Sequence, residues 1–214
     1  MSIGIIGAGR LGSAIAAAFA KNDIPAMIAN SRGPETLADL TRALGANISA
    51  APVSEAFKAD IVVLATPWMP LKEMLAAAPA WDGRILIDAT NALDYIDPNS
   101  PEAKDPTNPL AQYGVKPIDI GGRASSAIVA ELASGAKVVK AFNHVNSAVI
   151  QDPEASGGKR VLFISGDDQA AKDEVRKLLE RIGFFIRDLG SLKAAGPLQD
   201  FPFGQLAAVN FVAV

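Results

Sequence analysis

Three features of this sequence predict a doubly wound α/β fold, a mostly parallel sheet with helices on both faces. Short β-branched and aliphatic runs recur without apolar/polar alternation, the mark of strands buried on both sides. Stretches with apolar residues at helical spacing separate them. The first run leads directly into a glycine-rich turn at the head of the first helical stretch.

In order, Ile3–Ile6 is the first strand, and Leu11, Ile15 and Phe19 mark the helix after it. Ala26–Ala29 is the second strand. Leu37, Leu40 and Leu44 set the next helix, with Gly45 as its C-terminal stop. Ile61–Ala65 and Ile85–Ile87 are two further buried strands. Val138-Val139, Val161–Ile164 and Phe184–Ile186 supply later ones, and Ala127–Leu132 and Ala170–Arg181 read as helices. This gives one domain over residues 1–190 and a short C-terminal helical tail over 191–214. Within the tail, the apolar stretch Phe201–Val214 is expected to be a helix packed on the core or on a partner subunit, which makes a homodimer the expected assembly. Residues 92–123 break the rhythm with five prolines and with Gly114, Gly121 and Gly122. They read either as a surface crossover or as a loop that shapes a substrate cleft.

Composition narrows the function. Half of the 214 residues are apolar, and a chain this long buries roughly 70% of its unfolded surface. Lys and Arg number 20 against 23 Asp and Glu, so there is no basic excess for nucleic acid or an anionic membrane. The absence of cysteine excludes disulfides and zinc–thiolate sites, and the single histidine, His144, excludes a multi-histidine metal site. No basic stretch precedes the first strand, and no apolar run reaches the length of about 20 residues that spans a bilayer. The expectation is a cytoplasmic protein.

Gly7-Ala8-Gly9-Arg10-Leu11-Gly12 is G-x-G-x-x-G between a strand and a helix, the position its mechanism requires. Gly7 permits the tight turn, Gly9 lets backbone approach a pyrophosphate, and Gly12 allows close helix–strand packing. The N–H groups of Arg10 and Leu11 and the helix dipole then face the phosphates. At the end of the second strand an acid would bind the ribose hydroxyl of NAD, but Ser31 and Arg32 stand there instead. A hydroxyl beside a guanidinium suits a 2′-phosphate, so NADP(H) is expected. Glu35 reads as a dipole-matched acid in the first turn of the next helix.

Polar groups at three other strand ends should converge on one sheet edge. These ends carry Thr66, Pro67 and Trp68; Asp88 and Asn91; and Ala141, Asn143 and His144. Trp68 offers a flat wall to a nicotinamide or flavin ring, or else sits in the core. Asn91 and Asn143 either orient a carboxamide or cap local turns, Asp88 reads as a turn cap, and His144 reads as structural more readily than catalytic. No nucleophile–base pair is evident, and no catalytic residue is assigned.

With these motifs the chain resembles the F-420-dependent NADP reductase family of Rossmann dinucleotide-binding proteins. The resemblance is carried by residues 5–12, by Asn30-Ser31-Arg32, by Thr66-Pro67-Trp68 and by 138–143, and extends over nearly the whole chain. It implies an oxidoreductase that moves hydride between NADP(H) and a small-molecule acceptor, a deazaflavin (F-420), a flavin such as FMN or another oxidant. It also implies that Gly7, Gly9, Arg10, Leu11, Ser31 and Arg32 hold NADP, while Thr66, Pro67, Trp68, Ala141 and Asn143 line the nicotinamide and acceptor cleft. Two departures stand out: Gly33-Pro34-Glu35 replaces a more basic stretch, and His144 replaces a small polar residue. The alternatives are a non-catalytic NADP(H) sensor that signals through a partner, and a β-hydroxyacid-type dehydrogenase. The latter needs a larger helical domain after the last strand than this chain has.

Overall fold

The structure, a computed structural model, describes residues 1–214. The chain begins β1 (Ile3–Ile6), α1 (Arg10–Lys21), β2 (Ala26–Ala29), a 3-10 turn (Pro34–Leu37), α2 (Ala38–Leu44) and β3 (Ile48–Ala50). It continues α3 (Val53–Ala56), β4 (Ile61–Leu64), α4 (Leu71–Ala76) and β5 (Ile85–Asp88). The Pro-rich segment contributes β6 (Leu93–Tyr95) and β7 (Val115–Pro117). Then follow α5 (Ser125–Leu132), β8 (Lys137–Lys140), α6 (Ser147–Ile150), β9 (Glu154–Ala155) and β10 (Gly158–Gly166). The chain ends α7 (Gln169–Arg181), β11 (Phe185–Asp188), α8 (Leu192–Gln199) and β12 (Val212–Ala213).

The main sheet runs β11-β10-β8-β5-β4-β1-β2-β3. From β3 to β8 every pairing is parallel, so these six strands point their carboxyl ends to one edge. β1 lies between β2 and β4, and the order reverses there, which opens a crevice at its carboxyl end. Both faces are covered. Ile15 and Phe19 of α1 and Val175 and Leu179 of α7 pack in one core, and Leu71, Leu75, Trp81 and Val129 pack in the other. β1 is buried throughout because α3 presses on it: a Cβ on Gly4 would overlap the Ala56 carbonyl oxygen.

β10 is antiparallel to β8 and meets it only at Ser165 and Gly166, its last two residues. Its first part therefore overhangs the carboxyl edge of the sheet, where it pairs with β9 and β12. This is where the tail differs from expectation. Residues 201–214 form no helix; the tail's helix is α8, and the chain beyond it turns and adds β12 to β10. Pro202 lacks a donor and restricts the residue before it, and Gly204 follows two residues later, so a helix does not continue. The Pro-rich segment is a hairpin, β6 with β7, joined through two 3-10 turns. No helix is long and apolar enough to cross a membrane.

Candidate functional site

The glycine turn separates intramolecular packing from ligand space. Gly7 has φ 109, and a Cβ on it would overlap the Ala65 carbonyl oxygen. A Cβ on Gly12 would overlap the Gly7 carbonyl oxygen. Both glycines are required by the fold. Gly9 is different: it has φ −77, and a Cβ there would meet nothing within 4 Å. Glycine there is a favoured N-cap residue, and it also leaves room for a ligand to approach the backbone. α1 begins at the next residue with no side-chain cap and no acid in its first turn. Its leading N–H groups and positive dipole end face the open space in front of Gly9, a site for an anion. A dinucleotide pyrophosphate fits this cradle.

At the end of β2 the side chain of Asn30 organises the loop. Its Nδ2 donates to Thr36 Oγ1 at 2.9 Å, and its Oδ1 accepts from the Arg32 N–H at 2.9 Å. Gly33, at φ 98, turns the chain, and the Glu35 carboxylate folds over Gly33. Ser31 and Arg32 are left exposed, their side chains free to meet a ligand.

From this loop a cavity of about 930 Å³ runs along the carboxyl edge of the sheet to the end of β8. Four strand spacings of about 4.8 Å separate β2 from β8, roughly 19 Å. Gly7, Gly9, Arg10 and Leu11 line it at β1, Ser31 and Arg32 at β2. Thr66, Pro67 and Trp68 line it at β4, Asn91 after β5 and Asn143 after β8. Two expected residues are elsewhere. Gly12 is buried in the strand–helix packing, and Ala141 is fully buried in the core, because the chain turns only after it. That turn is made by Phe142 at φ 66, a left-handed conformation costly for a bulky residue. Phe142 fills the core while Asn143 and His144 reach the cavity wall.

Behind the wall lies a buried polar network. Lys140 is wholly buried, and its Nζ reaches Asp88 Oδ2 at 3.2 Å, Asp200 Oδ1 at 3.1 Å, Ser125 Oγ at 2.8 Å and Thr90 O at 3.1 Å. Asp88 also caps its turn, its Oδ1 accepting from the Thr90 N–H and Oγ1. Asn91 and Asn143 clasp each other: Asn91 Nδ2 donates to Asn143 O at 2.8 Å, and Asn143 Nδ2 donates to Asn91 Oδ1 at 3.0 Å. Both hold the tail, through the Gln199 carbonyl and the Phe201 N–H. Three buried polar atoms of the cavity-lining residues keep no partner: Thr66 Oγ1, Asn143 Oδ1 and His144 Nδ1.

His144 is not placed as a titrating catalyst. Its Nε2 accepts from the Phe163 N–H at 3.2 Å, and burial, with the Lys140 charge nearby, pushes its pKa down to about 3. The neutral ring therefore carries its proton on Nδ1. Trp68 both lines the cavity and leans on the core, so its two readings are joined in one place.

Sequence reasoning did not reach Leu93 and Tyr95 of β6, nor Phe201 and Ala208 of the tail, which close the β8 end of the cavity. The irregular Pro-rich segment signalled the first pair; nothing in the local pattern signals the second.

Residues 2–92 match the family described as NADP oxidoreductase, coenzyme F-420-dependent. A hypothetical protein of Sinorhizobium meliloti, known from a crystal structure, is 42% identical; the match covers 100% of this chain and 97% of that one, with a TM-score of 0.85. A protein of Arthrobacter sp. FB24, assigned as an F-420-dependent NADP-reductase, is 27% identical over 90% of this chain and 86% of its own, with a TM-score of 0.72. The metalloreductase STEAP3 of Rattus norvegicus is 25% identical over 201 residues, 94% of this chain. The chain spans only 36% of that metalloreductase's length.

Proposed function

Because the chain belongs to the family of coenzyme F-420-dependent NADP oxidoreductases, we propose that it moves hydride between NADPH and a deazaflavin, flavin or other small acceptor held in this one cavity. The observation that carries the reading is Gly9. It is the one glycine of the turn whose missing side chain leaves space for a ligand rather than for the protein. The chemistry a bound NADPH supplies is a hydride, which with one proton from water reduces the acceptor by two electrons and leaves NADP+.

The protein's part is to bind and orient. The α1 N-terminus and Gly9 hold the pyrophosphate, and Ser31 and Arg32 hold the 2′-phosphate. Trp68 supplies a flat wall along the cavity between the phosphate cradle and the β8 end. Thr66 and Asn143 line the cavity at the ends of β4 and β8. No acid or base is required, in keeping with a neutral His144. The test is NADPH and NADH oxidation by purified protein with F-420 and, in parallel, FMN. Saturable oxidation that prefers NADPH is expected. Tight NADPH binding with no oxidation by either acceptor would overturn the deazaflavin and flavin readings and leave another small acceptor or a non-catalytic sensor.

A further inference from the structure

A ribose 2′-phosphate is a phosphomonoester, close to doubly charged at neutral pH. The loop after β2 meets it with one cation, the exposed Arg32. Gly33-Pro34-Glu35 follows, without a second basic residue. The Glu35 carboxylate occupies the space that a Cβ on Gly33 would fill, so it stands beside Arg32 yet does not pair with it. The loop therefore sets one positive and one negative charge against an incoming dianion.

A second cation comes from the neighbouring turn. Arg10 is the first residue of α1, and β1 pairs directly with β2, about 4.8 Å away. Its side chain is exposed and lines the same cavity as Ser31 and Arg32. Helical side chains lean toward the N-terminus, so from the first position this one extends past the helix end. A cation is unfavourable there, because the helix dipole presents its positive end and the first turn holds no acid to offset it. No Asp or Glu lines the cavity either. Two guanidinium groups thus share one end of the cavity without a counter-charge, and an anionic ligand relieves both. The pyrophosphate already has the α1 N–H groups beside Gly9. The phosphate still short of positive charge is the one at Ser31 and Arg32.

We propose that the Arg10 side chain is a second determinant of NADP(H) selectivity, contacting the 2′-phosphate together with Arg32 and supplying the charge that Glu35 cancels. This rests on the NADP(H) reading above and gives a further side chain a role within it.

The experiment is calorimetric titration of full-length protein with NADPH, NADH, adenosine 2′,5′-bisphosphate and AMP. The last two differ only by the 2′-phosphate. Arg10→Ala is expected to weaken NADPH and the bisphosphate about tenfold or more, while NADH and AMP stay within about twofold. The urea midpoint of the Arg10→Ala apoprotein should not fall, since a charge opposed by the dipole has been removed. Glu35→Gln should tighten NADPH about threefold and leave NADH unchanged. Equal losses for NADPH and NADH in Arg10→Ala would put the side chain on the pyrophosphate and overturn the proposal. A selective loss in Arg32→Ala with none in Arg10→Ala would also overturn it, and would leave the NADP(H) reading standing. An unchanged Glu35→Gln would overturn the cancelling role of that acid. Unmutated protein that binds AMP as tightly as the bisphosphate would overturn the NADP(H) reading and the proposal with it.

Discussion

The two ends of the cavity are built in opposite ways. The β1–β2 end is made of consecutive residues: the Gly7–Gly12 turn and the Asn30–Arg32 loop each arrange their own groups within a few positions. It is exposed, and it leaves backbone N–H groups and two arginines for a ligand. The β8 end is assembled from segments far apart in the chain: the turn after β5, the hairpin, the end of β8 and the tail. It is held by Lys140 and the Asn91–Asn143 clasp, whose hydrogen bonds, the Lys140–Ser125 bond apart, span 50 to 110 positions. A general anion can be gripped by local backbone geometry, whereas shaping a wall for one particular molecule needs side chains from several elements, fixed against one another.

The strongest way to break this comparison is to remove the brace. Lys140→Met leaves Asp88 buried without its cation and should cost about 3–5 kcal/mol in urea unfolding. A loss under about 1 kcal/mol would mean that the β8 end needs no such brace. The phosphate end makes the contrary demand. Gly9→Ala meets open space at its Cβ, so the apoprotein should lose only the roughly 1 kcal/mol of a poorer helix cap while NADPH binding falls about 100-fold, near 2.7 kcal/mol by titration. Gly12→Ala, whose Cβ would overlap the Gly7 carbonyl, should destabilise the apoprotein itself.

Arg32→Ala sharpens the assignment of that end. NADPH binding should weaken by roughly 1–3 kcal/mol while NADH changes little; equal losses would remove the 2′-phosphate contact. The histidine separates the ends by pH. Unfolded His144 takes a proton below about 6.5, but the buried ring does so only near 3, so stability falls as pH drops through that window. Between pH 7 and 5 the loss should be about 2 kcal/mol in urea midpoints, and His144→Gln should flatten it.

The central strands were legible because each is a short, wholly apolar run between clear helical spacings; β1 and β4 follow the pattern closely. The short elements β3, α3, α4 and α6 were not, since three to six residues hold too little periodicity to read. The tail misled because composition reports apolar character but not conformation, and Pro202 with Gly204 outweighed it. Ala141 misled for a related reason: it lies in the right motif, but Phe142 turns the chain one residue later.

By itself the sequence determined the parallel sheet, the phosphate turn and the Ser31-Arg32 end of the cavity. Each of these depends on residues a few positions apart, where propensity and glycine sterics decide the outcome. Only the tertiary structure decided that Lys140 is a buried brace, that His144 is neutral, and that Leu93, Tyr95 and Phe201 close the cavity. Those facts depend on burial and on partners distant in sequence, since desolvation and contact are properties of the packed chain.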